Sequence, residues 1–277
     1  MHQYADDIQI YFSFSDKEFK YAESRIRDCL NDIQSWMKMS YLQLNPEKTQ
    51  VKVLRSKTID LQTNSVLDID CSNVLKVLGA TIEDHLKLNK FISRKVQVCN
   101  FHIRNFYNIK QRLNFSTKTI LVTNMIISTL DYGNLLLLGS TEKDLRPLHL
   151  ILNKAIRFIY DLNIREHITP YYNKLHILPV RKRIIFKACL IAHKIFNRQS
   201  PSYLHADFQN FMPLVNMELR TGAGRDKSMF ELLPLRKGRE VLYEKIKKEW
   251  NVLPFQIRNI EKTDLFKRKL KSYFFKS

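Results

Sequence analysis

The sequence is poor in glycine and proline, with six and eight of them in 277 residues. So few leave little material for Gly-rich phosphate loops, for all-β sandwiches with frequent tight turns, or for low-complexity linkers. Cysteine is scarce as well. Cys29, Cys71, Cys99 and Cys189 are far apart and form no CxxC pair. They fit neither a zinc cluster nor a disulfide framework, and suit a reducing compartment. No uncharged apolar run reaches the roughly 18 residues of a membrane helix. The opening Met1-His2-Gln3-Tyr4 lacks the basic and apolar regions of a signal peptide. These absences lead us to expect an intracellular chain with no membrane partner. The eight histidines include no HxxxH or HExxH pair, and no GxSxG surrounds a serine. Metalloprotease and α/β-hydrolase chemistry therefore have no starting point.

What is abundant is positive charge. Lys and Arg number 46 against 27 Asp and Glu, a formal net charge of +19. The excess is unevenly spread: residues 1–80 hold 10 basic and 11 acidic side chains, leaving 36 and 16 for residues 81–277. An imbalance of that size over one stretch points to a polyanionic partner, RNA or DNA, rather than to solubility alone. With 44% hydrophobic residues the chain has ample material for a core, so disordered and fibrous classes are excluded.

The hydrophobic pattern changes character near residue 85. Before it, β-formers dominate. Ile8 to Phe12 reads as a strand leaving the Asp6-Asp7 turn, and Val51, Val53 and Leu54 open a second β segment. Thr58 to Leu61 and Val66 to Ile69 look like a hairpin joined through Thr63-Asn64-Ser65. Val74 to Ile82 reads as a strand interrupted by Gly79. One helix intervenes. Ser15 and Glu18 form a capping box. Phe19, Ala22, Ile26, Leu30, Ile33 and Trp36 or Met37 then recur at helical spacing for about six turns, and Leu44-Asn45-Pro46 ends the helical region. After residue 85 helices are expected near 88–113, 116–130, 142–160, 180–197, 240–250 and 263–275. Ser116 is the expected N-cap of the second, and Thr141 with Asp144 starts the third. The stretch from Arg198 to Arg239 lacks periodicity and is either an irregular β-containing excursion or a connector.

The sharpest local signal is Tyr4-Ala5-Asp6-Asp7. Two adjacent carboxylates on a tight turn can offer hard oxygen ligands to Mg²⁺ beside a phosphate, the donor type that two-metal phosphoryl transfer needs. By itself an Asp-Asp pair is more often an ordinary turn. Two basic clusters stand out. Arg181-Lys182-Arg183 precedes an apolar helix, as a phosphate contact, part of a localisation signal or a solvated helix start. Lys267, Arg268, Lys269 and Lys271 surround Phe266, Leu270, Tyr273 and Phe274, as a stacking nucleic-acid face or as the outer positions of a core-packing helix.

In order along the chain, Tyr4-Ala5-Asp6-Asp7, Leu44-Asn45-Pro46-Glu47-Lys48-Thr49, Val77-Leu78-Gly79-Ala80-Thr81-Ile82, Leu130-Asp131-Tyr132-Gly133 and Trp250-Asn251-Val252-Leu253-Pro254 (with Ile257-Arg258 and Phe266-Lys267 beyond it) make a set. Nearly end to end, the chain resembles the C-terminal part of the reverse transcriptase of non-LTR (LINE-like) retrotransposons. The resemblance implies an α+β fold. Residues 1–85 would be a truncated polymerase palm, a small antiparallel sheet plus helix. Residues 86–197 would be a helical thumb-like region, and 198–277 an irregular connector and basic helical C-terminal region. It implies RNA-directed DNA polymerisation with Mg²⁺, an RNA template and a DNA primer, in nucleus or cytoplasm. Asp6 would bind metal with Asp7 beside it, Tyr4 would position the primer end, and Lys48 would face the triphosphate. Fingers and a first palm aspartate have no counterpart in these residues, so the chain alone is expected to be inactive. The alternatives are a non-catalytic RNA/DNA-binding module and a decayed element remnant. A sheet short of partner strands would expose edges and apolar faces, so residues 1–85 are expected to be the less stable part.

Overall fold

The structure is a computed structural model that describes residues 2–53, 65–66, 69–70, 74–83, 87–202, 204 and 242–276. The chain divides into two compact units, Met1–Leu88 and Asn89–Ser277. All strands among the described residues lie in the first unit and most helices in the second, so the class is α+β, mainly helical.

In the first unit, β1 (His2–Tyr4) pairs antiparallel with β2 (Asp7–Gln9), Tyr4 opposite Asp7. The strand entering the turn is three residues long. The outgoing strand is shorter and earlier than Ile8 to Phe12, because a two-residue turn fixes the register and only the residues facing His2-Gln3-Tyr4 find partners. Ala5 takes a left-handed conformation at that turn, φ +52°.

Helix α1 (Phe19–Met39) is preceded by a single 3₁₀ turn at Asp16–Glu18. Its start is fixed twice. The Glu18 carboxylate accepts from the Ser15 N–H at 3.2 Å and from its hydroxyl at 2.7 Å. Outside this cap the Phe14 ring lies 5.6 Å from that of Phe19, a hydrophobic staple. Ala22 is buried and Phe19, Ile26, Leu30, Ile33 and Met37 are half-buried, whereas Trp36 is 53% exposed. Met37 is thus the one on the inner face. The helix ends earlier than Leu44-Asn45-Pro46. Tyr41 turns left-handed at φ +56°, its N–H reaches Lys38 O and the Leu42 N–H reaches Met37 O, which is a Schellman close.

Beyond it, Asn45 caps one 3₁₀ turn, Pro46–Lys48. Val51 makes an isolated bridge and Val53 no strand, while Leu54 lies outside the described residues. So do Thr58 to Leu61 and Thr63-Asn64. β3 (Ser65–Val66) pairs with β4 (Ile69–Asp70), so Val66 and Ile69 sit opposite each other rather than on one strand. The expected single strand from Val74 to Ile82 is a hairpin, β5 (Leu75–Val77) with β6 (Ala80–Ile82). Leu78 and Gly79 have φ of +46° and +76°, the two left-handed positions of a type I′ turn, so Gly79 reverses the chain instead of interrupting it.

The second unit is built from α2 (Asn89–Asn108), α3 (Phe115–Leu121), a wide π turn at Val122–Ile127 leading into α4 (Ser128–Asp131), a 3₁₀ segment at Asn134–Gly139, α5 (Glu142–Tyr160), α6 (Thr169–Lys174), α7 (Val180–Phe196), α8 (Leu242–Asn251), α9 (Phe255–Arg258) and α10 (Thr263–Lys276). The expected helices are all there; α6, α9 and the 3₁₀ segment were not expected. Asn114, not Ser116, caps α3: its side-chain oxygen accepts from Thr117 N–H at 2.8 Å. Thr141 and Asp144 form the capping box of α5. Most of the aperiodic stretch to Arg239 lies outside the described residues. No helix among the described residues is long and apolar enough to cross a membrane.

Helix α5 carries the core. Leu145, Leu148, Ile151, Leu152, Ala155, Ile156, Phe158 and Ile159 are all buried, covering more than one face, and the helix packs against α2, α3 and α7. At about 1.5–3 kcal/mol for each large apolar side chain, this row outweighs any single polar contact in the unit. Helix α7 joins the C-terminal helices to the same core. Its small Ala188, Cys189 and Ala192 are buried, and α8 and α10 pack on it. His193 stacks on Phe266 of α10 at 4.1 Å between centroids and donates through Nε2 to Ile260 O at 2.7 Å.

This packing sets two expected outcomes. Among the described residues of the first unit, Ala22 and Ala80 are the only buried apolar residues, so the amides of α1 should exchange with deuterium well before those of α5. Protection of α1 equal to that of α5 would contradict it. Burial also holds His193 below the ordinary imidazole value, and its Nδ1 is buried without a partner among the described residues. His149 is shifted the same way, again by burial. Below the unfolded value of about 6.5 the unfolded chain binds protons that the fold refuses. Stability is therefore full above that pH and lost as pH falls. The thermal midpoint should drop between pH 7.5 and 5.5, and His193→Gln should flatten the drop.

Candidate functional site

The Tyr4-Ala5-Asp6-Asp7 turn stands at the tip of the β1–β2 hairpin. Tyr4 is 67% exposed, and Asp6 and Asp7 are exposed too. The turn is braced by the Gln3 side-chain amide, which donates to Ala5 O at 3.2 Å. Lys48, also exposed, ends the Pro46–Lys48 turn of the same unit, where the Asn45 side chain accepts from its backbone N–H at 3.3 Å. The fold thus brings Tyr4, Asp6 and Asp7 onto one hairpin and sets Lys48 on a separate turn. No group of three or more His, Cys, Asp or Glu positioned to hold a metal ion occurs among the described residues.

The basic triplet at the start of α7 is turned inward. Arg181 donates to the Glu142 carboxylate at 2.7 Å, to Ser140 O at 2.6 Å and to Leu138 O at 3.3 Å. Lys182 Nζ donates to Phe274 O at 2.8 Å. Arg183 makes a two-pronged pair with Asp131, one prong being 2.9 Å and the other shorter. These cations tie α7 to the start of α5, to the end of α10 and to the end of α4.

Helix α10 resolves the other cluster. Phe266, Leu270 and Phe274 are buried, and Lys267, Arg268 and Lys269 are exposed on the opposite side. Lys271 is half-buried, and burial, helped by the Arg183 and Lys267 charges, depresses its pKa. The buried aromatic residues of this helix are therefore core anchors, and Lys267, Arg268 and Lys269 face solvent.

The structure also singles out residues that no sequence motif marked. Lys95 is buried on α2, and its ammonium donates to Thr129 O, to Leu130 O at 3.4 Å and to Tyr132 O at 2.6 Å. The Phe91 ring covers it at 4.7 Å. Burial pushes its pKa down to about 8 and that of neighbouring Cys99 up to about 11. Lys118 is likewise buried, with both carboxylate oxygens of Asp161 at 2.8 and 2.7 Å, and Lys110 joins the same carboxylate at 2.9 Å. Those two lysines hold the Asp161 carboxyl below its usual range. The available signal was a lysine inside an apolar stripe, as in Phe91, Lys95, Cys99 at four-residue spacing. No family model, curated protein or solved structure matches this chain.

The two basic clusters should separate experimentally. Arg183→Gln leaves the largely buried Asp131 carboxylate without its pair and should cost about 2 kcal/mol of stability. Replacing Lys267, Arg268 and Lys269 together by Gln should leave the thermal midpoint nearly unchanged. It should lower the salt dependence of RNA binding by about 0.7 in log–log slope for each lost phosphate contact. Thermal melts and RNA titrations at several salt concentrations check both.

Proposed function

We propose that this chain is a nucleic-acid-gripping part of an RNA-directed DNA polymerase of the non-LTR retrotransposon kind. The observation that carries the proposal is the β1–β2 hairpin, which puts two adjacent exposed carboxylates on a tight turn with a tyrosine beside them. Further support comes from the order of the later elements: a long helix, an Asn45-capped turn bearing Lys48, and a type I′ hairpin that ends just before a helical, strongly basic second unit. The partners would be an RNA template and a DNA primer, held through phosphates by exposed lysines and arginines and hence with little sequence preference.

The metal part of the chemistry does not fit these residues as they stand. Two-metal transfer needs carboxylates that clamp the attacking and leaving oxygens together. Asp6 and Asp7 are two carboxylates on one turn, and the described residues add no third to them. No catalytic step is therefore assigned to this chain. Grip without polymerisation is the second reading, favoured by that incomplete donor set.

The test is primer extension on an RNA template by the 277-residue chain and its Asp6→Asn variant, with Mg²⁺ or Mn²⁺, alongside binding of the same template–primer. We expect no extension from either protein and equal, salt-sensitive binding by both. Extension by the unmodified chain that disappears in Asp6→Asn would show a complete metal site and overturn the non-catalytic reading. Salt-insensitive binding would remove the grip.

A further inference from the structure

Where α2, α3, α5 and α6 meet, aromatic rings and lysines alternate. Phe115, the first residue of α3, lies 5.2 Å from Tyr160 at the end of α5, which lies 4.6 Å from Tyr171 of α6. The ammonium of Lys174 covers Tyr171 at 5.2 Å. On the other side of Asp161, Lys110 bonds that carboxylate at 2.9 Å and covers Tyr107 at 5.5 Å. Tyr107 in turn packs edge-on against the buried Phe158 at 5.4 Å, whose ring also carries Lys118. The contacts form two sets, which adjoin where Tyr160 precedes Asp161 in the chain and where Phe115 and Lys118 share α3.

Its character is unusual for a mere core edge. Phe115 has no polar atom to offer water, yet is 52% exposed, and Tyr107 is 45% exposed. Lys174 is exposed beside half-buried Tyr171. Asp161, the carboxylate within the patch, is already held by two lysines, so it does not repel a second anion strongly. The patch also lies in the stretch that carries the whole charge excess, 36 basic against 16 acidic side chains over residues 81–277.

We infer that the patch of Tyr107, Lys110, Phe115, Tyr160, Tyr171 and Lys174 binds single-stranded nucleic acid, its rings taking unpaired bases and its lysines the phosphates. This deepens the proposed function and rests on the chain being a nucleic-acid binder. Every base has a π face, so such a platform tolerates any sequence but requires bases released from pairing. A duplex offers its phosphates and hides those faces, and an acidic protein segment offers charge without flat rings. The chemistry therefore selects single strands over both.

The experiment uses the full chain with fluorescently labelled oligouridylate, oligothymidylate and a duplex of equal length, at one fixed salt concentration. Phe115→Ala should weaken single-strand binding about tenfold and leave duplex binding nearly unchanged. Lys174→Gln should weaken both modestly. Phe115→Trp is the control for folding and the direct probe: it should restore affinity, and the new indole should be quenched by oligouridylate but not by poly-glutamate. Single-strand binding unaffected by Phe115→Ala, with the Phe115→Trp signal unmoved, overturns the patch while nucleic-acid binding itself stands. Equal quenching by poly-glutamate overturns the assignment to single strands and gives the patch to acidic polypeptides. Failure to bind any of the nucleic acids overturns the patch and the proposed function together.

Discussion

A lysine held by the carbonyls at a helix end organises the second unit. The last carbonyls of any helix lack intrahelical partners and carry the negative end of its dipole. In α4 they are met by the Lys95 ammonium, which takes Thr129, Leu130 and Tyr132 together. The next step depends on it, because the chain must reverse immediately. Gly133 does so at φ +56°, with the Phe91 ring 3.2 Å from where a Cβ would stand. Asp131, fixed in the same turn, reaches Arg183 of α7 and takes a weaker bond from Asn134. One polar knot thereby joins α2, α4 and α7. Burying an ammonium is costly, and that burial holds the Lys95 pKa down to about 8 against the opposing pull of the Cys99 and Asp131 charges.

The same device recurs and explains how so basic a chain folds. Arg157 donates to the carbonyls of Asn163, Ile164 and Glu166, Arg258 to those of Asn251 and Leu253, Lys182 to Phe274 O. Among the buried cations of the described residues, Lys95 and Arg258 are met by backbone oxygens, and Lys118 and Lys247 by the carboxylates of Asp161 and Glu244. Backbone oxygens carry no net charge, so the fold closes without recruiting an equal number of carboxylates. A fold that paired each cation with an acid would be neutral overall. This one stays strongly positive, which is what association with a polyanion requires.

That device also marks the boundary of what could be read from residues alone. Helices α1 and α5 were legible because their signals are local: Ser15 with Glu18, Thr141 with Asp144, and apolar positions recurring at helical spacing. The Tyr4-Ala5-Asp6-Asp7 turn was legible for the same reason. Gly79 was misplaced because a glycine inside a β pattern suits a bulge or a reversal equally, and only the pairing of Val77 with Ala80 decides. The partners of the Arg181-Lys182-Arg183 triplet were not legible at all. They stand at 131, 138, 140, 142 and 274, and no local pattern announces a carbonyl that distant. The aromatic patch was hidden likewise, since Tyr107, Phe115, Tyr160 and Tyr171 belong to four helices and share no spacing.

The two units also differ in how firmly they can hold a functional group. In the second, charged side chains are gripped from several directions, as Lys118 is by Asp161 and Arg183 by Asp131. In the first, Asp6 and Asp7 project into solvent from a turn between three-residue strands, where packing does not orient their carboxylates. A metal centre depends on neighbours that fix each ligand before the ion arrives, and chemistry is sensitive to displacements of about 0.5 Å. Phosphate binding makes no such demand, because a flexible ammonium finds its anion over a range of geometries. The physical support for the two proposed roles is therefore unequal: the Asp6 and Asp7 carboxylates have exposure without orientation, whereas the cations have both numbers and a packed helical core beneath them.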